Sequence, residues 1–180
     1  MKHLKHFTIV LLAIIVSSCA SDDSSNASEN NFISVGESSY EMRAAIIEPT
    51  LNSVFLSLTN STEAETTASF EGTTLNNVDY FSARINHFDL SSGETYNLSD
   101  ISSLEFVVNG DVINSEFENG FSQFYKSGTN ADLEVTSGSI TIIDYTVDSI
   151  SLSFSFTRGD GTEITGTYEG GFLYITSVDE

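Results

Sequence analysis

The sequence predicts an all-β domain, an antiparallel β-sandwich of about ten strands. Apolar and hydroxyl residues alternate strictly over residues 150–157, which is the period of a strand with one buried face. The same period places Val54, Leu56 and Leu58 on one face of an earlier strand. Glycine-containing turn sequences separate many of these runs. A closed, lipocalin-like barrel is the alternative, because many short strands joined by turns fit either architecture.

The first strands are predicted from residue 32 onward. An apolar run over residues 32–35, a glycine-containing turn over 36–38 and a second run over 40–47 indicate a hairpin, which Pro49 ends.

Residues 60–77 interrupt the strand pattern with Ser, Thr, Glu and Ala. Thr62 and Glu65 have the spacing of a capping box, which permits one short helix, although a long polar loop is the preferred interpretation. The strand pattern resumes over residues 80–88, where His87 shares the parity of the apolar face. A partly buried, hydrogen-bonded histidine is therefore expected rather than a catalytic one.

Two Asn-Gly pairs indicate reversals of the chain. Asn109-Gly110 predicts a two-residue turn that pairs Val107 with Val112, because Asn and Gly accept the positive φ angles of such turns. Asn119-Gly120 would place apolar residues opposite polar ones, so a longer loop or a bulge is expected there.

The C-terminal hairpin gives the clearest prediction of register. A three-residue loop over residues 159–161 pairs Phe156 with Ile164, whereas a two-residue turn would pair Phe156 with a polar residue. The longer loop requires Gly161 in the left-handed conformation. A glycine pair then leads into a last strand over residues 172–176.

The N-terminal segment predicts where the protein is located. Residues 1–6 are basic, and residues 7–16 form an apolar run shorter than the roughly 20 residues that span a bilayer. This pattern is typical of a secretory signal peptide. Val16-Ser17-Ser18-Cys19 resembles a bacterial lipobox, which implies cleavage after residue 18 and acylation of Cys19, with palmitate among the expected chains. Cys19 has no second cysteine with which to form an intramolecular disulfide.

The predicted organisation is a signal peptide over residues 1–18, a flexible acidic and serine-rich tether over 19–31, and a single all-β domain over 32–180. The order of the strand sequences over residues 138–170, together with the lipobox, resembles small Bacteroidota-type lipoproteins of uncharacterised function. Residues 21–23, Ser-Asp-Asp, resemble the surface-export signals of such lipoproteins. The resemblance implies an outer-membrane location with the domain exposed at the cell surface, and it implies no activity.

The charge balance limits the partners. The chain has 26 Asp and Glu against 6 Lys and Arg, and its formal net charge is −20. Nucleic acid and anionic headgroups are excluded as partners, because binding them requires a positive surface. The membrane contact is expected only through the lipid on Cys19. No cofactor is expected. Calcium is the one common metal that the oxygen-rich side chains would suit, although no EF-hand loop pattern is present.

No catalytic motif is evident in the sequence. Cleavage of the signal would leave His87 as the sole histidine, and no Gly-x-Ser-x-Gly elbow accompanies it. A glycan-directed hydrolase that uses an Asp/Glu pair stays an alternative, because cross-strand distances between carboxylates cannot be read from a sequence. A small-ligand carrier is another alternative, and it requires a cavity.

Exposed aromatic side chains would favour glycan binding. The candidates are Tyr80, Tyr125 and Tyr145, together with the cluster of Phe121, Phe124 and Tyr125, for which a place in the core is the preferred interpretation. The sequence thus predicts a lipid-anchored, non-enzymatic binding or structural module of the cell envelope. Its protein or glycan partner is not identified by any motif.

Overall fold

The computed structural model describes residues 31–176, which contain twelve strands, one α-helix and two short 3-10 segments. The helix is α1 (Glu63–Phe70). The strands are β1 (Phe32–Val35), β2 (Ser38–Glu41), β3 (Ala44–Pro49), β4 (Val54–Thr59), β5 (Leu75–Ile85), β6 (Thr95–Asn97), β7 (Ile101–Ile113), β8 (Glu116–Tyr125), β9 (Val135–Tyr145), β10 (Ile150–Arg158), β11 (Glu163–Gly170) and β12 (Phe172–Tyr174).

The strands form two six-stranded sheets. Sheet 1 has the order β2-β1-β11-β10-β9-β6, and sheet 2 has the order β12-β3-β4-β5-β7-β8. Neighbours are antiparallel, except that β12 runs parallel to β3. Over residues 31–176 both sheets keep free edges. The all-β sandwich is therefore confirmed, and the closed lipocalin-like barrel is ruled out.

The core lies between the two sheets and is rich in phenylalanine. The rings of Phe81 in sheet 2 and Phe154 in sheet 1 stack across it, with centroids 4.8 Å apart and planes 6° apart. Phe106, Phe124 and Phe156 are also fully buried. Phe154 and Phe156 come from the alternating positions that the sequence predicted to form one face of a strand, as do Val54, Leu56 and Leu58 in β4.

The C-terminal hairpin has the predicted register. Phe156 pairs with Ile164 and Leu152 pairs with Tyr168, and Gly161 has a φ of +85°. An ion pair between Arg158 and Asp160 spans the loop. Parity alone was sufficient here, because both strands have one apolar face and one polar face.

The Asn109-Gly110 turn prediction was wrong. Both residues lie inside β7, and the reversal occurs at Asn114 and Ser115, which have φ angles of 52° and 67°. Asn109 does have a positive φ, of 53°, but it lies where the register between β5 and β7 shifts, within the sheet, and not in a turn. Asn119-Gly120 also lies within a strand, β8, and both residues are left-handed.

The run over residues 40–47 is also not one strand. β2 ends in sheet 1, and the chain crosses at Met42 and Arg43 to begin β3 in sheet 2. The Met42 side chain is fully buried, which explains why the apolar run continues through the crossing.

Both ends of the described chain are fixed to the domain. Asn31, which the sequence placed at the end of the tether, is buried. Its side-chain N–H donates to the Glu169 carbonyl at 3.1 Å, and its side-chain oxygen accepts the Glu169 N–H at 2.8 Å. At the other end, the Tyr168 hydroxyl donates to the carbonyl of Gly171 at 2.8 Å, where the chain leaves β11 for β12.

We expect Gly166→Ala to destabilise the fold by about 1–3 kcal/mol, because the added methyl group overpacks the core. A Cβ at Gly166 would lie 2.2 Å from the ring of Phe154, its cross-strand partner. Urea unfolding measures the change. Thr165→Ala, on the exposed face of the same strand, is the control. A Phe154→Leu background should relieve most of the cost, and equal costs in both backgrounds would contradict the packing argument.

Candidate functional site

The site residue that the sequence predicted, Cys19, lies outside the described residues, as do the expected signal peptide and most of the tether. The described domain has several concavities on its surface, and we call the one beneath α1 the outer pocket. It has a volume of about 300 Å³ and lies on the outer face of sheet 2. Its lining residues are Ile46, Glu48, Phe55, Ser57, Thr59, Ser61, Thr66, Ser69, Phe70, Leu75, Val78, Tyr80, Val112, Ser115, Phe117 and Ile175.

The floor of the outer pocket is the outer face of β3 and β4. Phe55, Ser57 and Thr59 line it, whereas the residues that alternate with them in β4 are buried in the core. The alternating residues of this strand therefore lie in two different environments, the core between the sheets and the outer pocket. Ser57 and Thr59 are nevertheless 4% and 3% exposed, so the outer face here is covered rather than wet.

One wall consists of the ends of β5, β7 and β8, where the pleat changes direction. Val108 packs in the core, yet Val112, four residues on, lines the outer pocket. In a regular strand two residues of the same parity face the same side. The left-handed residue between them, Asn109, accounts for the switch. Asn77 in β5, with a φ of 56°, lies at a matching irregularity of register.

Side-chain hydrogen bonds hold these irregular positions. A carboxylate oxygen of Asp79 accepts the backbone N–H of Asn109 at 3.0 Å. The Asn60 side chain in turn accepts the N–H of Asp79 at 3.0 Å and donates to the carbonyl of Asn77 at 3.1 Å. Burial raises the pKa of the Asp79 carboxyl, and the hydrogen bond from Asn109 opposes that shift.

The roof of the outer pocket is α1. The structure shows a helix where the sequence favoured a polar loop, and the capping box explains why. The Glu65 N–H donates to the Thr62 hydroxyl at 3.2 Å, and the Thr62 N–H donates to the Glu65 carboxylate at 2.8 Å. Only two residues of α1 are buried, Thr66 and Ser69, and both are polar. The loop interpretation failed because an eight-residue helix with no apolar stripe has a weak periodic signal.

The outer pocket concentrates the buried polar residues of the described domain. Seven polar residues are buried within residues 31–176. Five of the seven line this pocket: Ser57, Thr59, Ser61, Thr66 and Ser69. Buried polar groups are unusual unless hydrogen bonds compensate their lost hydration. Within residues 31–176, one such atom has no hydrogen-bond partner, the Oγ1 of Thr66.

Aromatic rings supply much of the remaining lining. The rings of Tyr80 and Phe117 stack with centroids 5.5 Å apart and planes at 30°. The Tyr80 hydroxyl and the Ser57 hydroxyl share a hydrogen bond of 2.8 Å. Burial raises the pKa of the Tyr80 phenol from its ordinary value, and the hydrogen bond with Ser57 opposes that shift. Phe117 leaves no room for a side chain at Gly110, where a Cβ would lie 2.2 Å from the ring.

The other aromatic candidates do not gather into a sugar-binding platform. Phe124 is fully buried, and the Tyr125 hydroxyl is fixed to the backbone of Asn130 at 2.9 and 2.6 Å. Phe121 is 70% exposed, so the cluster is divided between core and surface. Tyr145 packs beside Phe172 at 5.5 Å.

His87 lies just beyond the end of β5, half-buried, with Nδ1 2.9 Å from the Asp89 carbonyl. The prediction of a partly buried, hydrogen-bonded histidine is confirmed. Among residues 31–176, no three His, Cys, Asp or Glu side chains form a group that could hold a metal ion. The outer pocket has one carboxylate, that of Glu48, in its lining.

Comparisons with known proteins do not assign this chain to a family. No protein-family model, curated protein or solved structure matches the sequence or the fold. In the described part of the chain, no helix is long and apolar enough to cross a membrane.

We expect Thr62→Ala to loosen the roof of the outer pocket. Loss of a threonine cap costs about 1 kcal/mol, which would speed amide hydrogen exchange in α1 by about fivefold. Thr62→Ser keeps the hydroxyl and is the control.

The Thr62 backbone N–H and hydroxyl hold the pKa of Glu65 below its ordinary value of 4.5. The stabilisation by this carboxylate is therefore present above that value and is lost as the pH falls through the lowered pKa.

Amide hydrogen exchange in α1 that is the same in Thr62→Ala and wild type would contradict the capping role of Thr62.

Proposed function

We propose that the protein is a lipid-anchored, extracytoplasmic binding module that is not an enzyme and that holds a small ligand in the outer pocket. The observation that carries the binding role is the pocket itself. It is a preformed concavity with aromatic walls and buried hydroxyl groups, and about 300 Å³ is at the lower end of the size range of small-molecule sites.

The position of the outer pocket supports a binding role over an interior carrier role. The space between the sheets is filled by the phenylalanine-rich core. A ligand would therefore occupy the outer face of sheet 2 beneath α1, without any change to the packing that holds the two sheets together.

The chemistry of the pocket supports binding over hydrolysis. A glycosidase requires two carboxyl groups about 5–9 Å apart across the scissile bond. The outer pocket presents Glu48 and a set of hydroxyl groups, and burial raises the pKa of the Tyr80 phenol further above neutral pH. Such groups orient a ligand but do not supply an acid and a base pair.

The lipobox-like sequence at Cys19 supports the anchor, and its resemblance to Bacteroidota-type lipoproteins supports an outer-membrane, surface-exposed location. Several acyl chains would be needed for lasting attachment, since one chain gives an association constant of only about 10⁴ M⁻¹. The acidic domain would then stand in water beside the bilayer.

We expect mass spectrometry of the protein isolated from membranes to find an N-terminal fragment that begins at Cys19 and carries acyl chains. Cys19→Ser should abolish both the acylation and the membrane association in cell fractionation, because the predicted anchor chemistry requires the thiol. Ser18→Ala, which keeps a small residue before the cysteine, is the control. A free thiol at Cys19 in the membrane-isolated protein would contradict the anchor.

We expect Val112→Phe to fill part of the outer pocket and to remove a bound small molecule. Native mass spectrometry of protein released from the cell envelope by detergent should show an adduct on wild type that Val112→Phe lacks. Val147→Phe is the control, because Val147 is 89% exposed and remote from the pocket lining. The same adduct profile for wild type and Val112→Phe, both folded by circular dichroism, would contradict binding in this pocket.

A further inference from the structure

The geometry points to a specific ligand class for the outer pocket: a small, largely apolar molecule with one flat ring and a neutral or cationic hydrogen-bonding group. This inference rests on the proposed function, which it deepens by excluding polyols and carboxylates. Four features of the pocket carry it: its aromatic lining, the commitment of its hydroxyl groups, one unpaired hydroxyl, and its charge.

The lining favours a flat apolar ring. The stacked rings of Tyr80 and Phe117, with Phe55 and Phe70, present aromatic surface around a volume of about 300 Å³. Phe70 is 47% exposed at the end of α1, so apolar surface is left for a ligand to cover. Aromatic pairs contribute about 0.5–1.5 kcal/mol beyond the area that they bury, which favours a ring over a flexible chain.

The hydroxyl groups do not favour a polyol, because most of them already bind protein atoms. Ser57 bonds Tyr80, Ser69 donates to the Thr66 carbonyl at 2.7 Å, and Ser115 donates to the Ser69 carbonyl at 3.0 Å. A sugar would bring several hydroxyl groups into a pocket with few unused partners. Each one left unsatisfied costs about 1–3 kcal/mol, which outweighs the gain from ring contact.

One fully buried side-chain oxygen of the lining lacks a partner, and it defines where the ligand's hydrogen-bonding group lies. Thr66 lines the outer pocket and is 5% exposed, and its Oγ1 has no partner among the described residues. An unsatisfied buried hydroxyl in a native protein requires an explanation. This oxygen is itself buried, so the ligand reaches it when the Thr66 side chain turns to its other helical rotamer, and a single donor or acceptor then satisfies it.

The charge of the pocket lining disfavours anions. The Arg84 guanidinium packs over the Phe55 ring, 5.2 Å from its centroid, but its Nε is committed to the Ser53 hydroxyl at 2.9 Å. Glu48 is the one ionisable carboxylate in the lining, and no Lys or Arg lines the pocket among the described residues. The whole chain adds a formal net charge of −20. A carboxylate or phosphate would lose hydration and meet repulsion, whereas an amine would be attracted to Glu48 and steered by the acidic surface.

Three indole compounds test this class, because they share one ring and differ in charge at neutral pH: indole, tryptamine and indole-3-acetate. The mature, acylated protein is held in zwitterionic lipid vesicles, which contain no scaffold protein, and empty vesicles give the baseline for partition into lipid. The chain has no Trp, so selective excitation of indole reports the probe through its fluorescence anisotropy.

We expect indole and tryptamine to bind wild type, and indole-3-acetate to bind at least about tenfold more weakly than tryptamine, which corresponds to 1.4 kcal/mol. Glu48→Gln should reduce this difference to less than about threefold. Thr66→Val should weaken the binding of tryptamine by about fivefold. The thermal unfolding midpoint of this variant should be equal to that of wild type or higher, since the change removes an unsatisfied polar group. Thr66→Ser, which restores the hydroxyl, should retain affinity.

The outcomes separate this inference from the proposed function. Equal binding of indole-3-acetate and tryptamine would overturn the charge assignment, and unchanged binding to folded Thr66→Val would overturn the role of its hydroxyl. No binding of any of the three probes would overturn the ring class. In that case a native-mass adduct that Val112→Phe abolishes would still uphold a ligand in the pocket, whereas loss of that difference as well would end the proposed function.

Discussion

The hydrogen bonds of the Asp79 carboxylate and the Asn60 side chain are the constraint on which the outer pocket depends. They fix two strands of sheet 2 in irregular backbone at Asn77 and Asn109. β-Bulges and left-handed residues bend a strand and re-aim its side chains. Val112 and Leu75 therefore reach the outer face, although a regular pleat would direct each of them elsewhere. Burial raises the pKa of Asp79, so the fold maintains a carboxylate at an energetic cost in order to keep this geometry.

The two faces of sheet 2 have different structural roles. Its inner face packs against sheet 1 through Phe81 and its neighbours, which fixes the fold, and its outer face carries β4 hydroxyl groups under α1, which forms the pocket. The stable core thus lies on the side opposite to the outer pocket. A change in the pocket lining need not disturb the inter-sheet packing, whereas a change at Phe154 or Gly166 affects the whole sandwich.

The sequence predicted the fold class and the C-terminal hairpin because both depend on parity, which is a local property. It did not predict the outer pocket, because that depends on which strands become neighbours. Asn109-Gly110 has the composition of a turn, and its positive φ was expected, but only pairing with β5 and β8 makes it an irregular strand position. The period of two in β4 is that of a half-buried strand, yet Ser57 and Thr59 on its outer face are also buried, because α1 covers them. The capping box at Thr62 was the one signal that could have revealed this cover.

The polar attachment of α1 offers a route by which the proposed ligand would enter the covered pocket. Segments with few buried apolar contacts open at low free energy, independently of global unfolding. The buried residues of α1 are Thr66 and Ser69, and the Ser115 hydroxyl reaches its last turn through the carbonyls of Ser69 and Phe70 at 3.0 and 3.3 Å. These bonds can be exchanged for bonds to water at little net cost. Such an opening would separate α1 from the sheet while the phenylalanine core stays packed, and the proposed ligand, by satisfying Thr66, would favour the closed state.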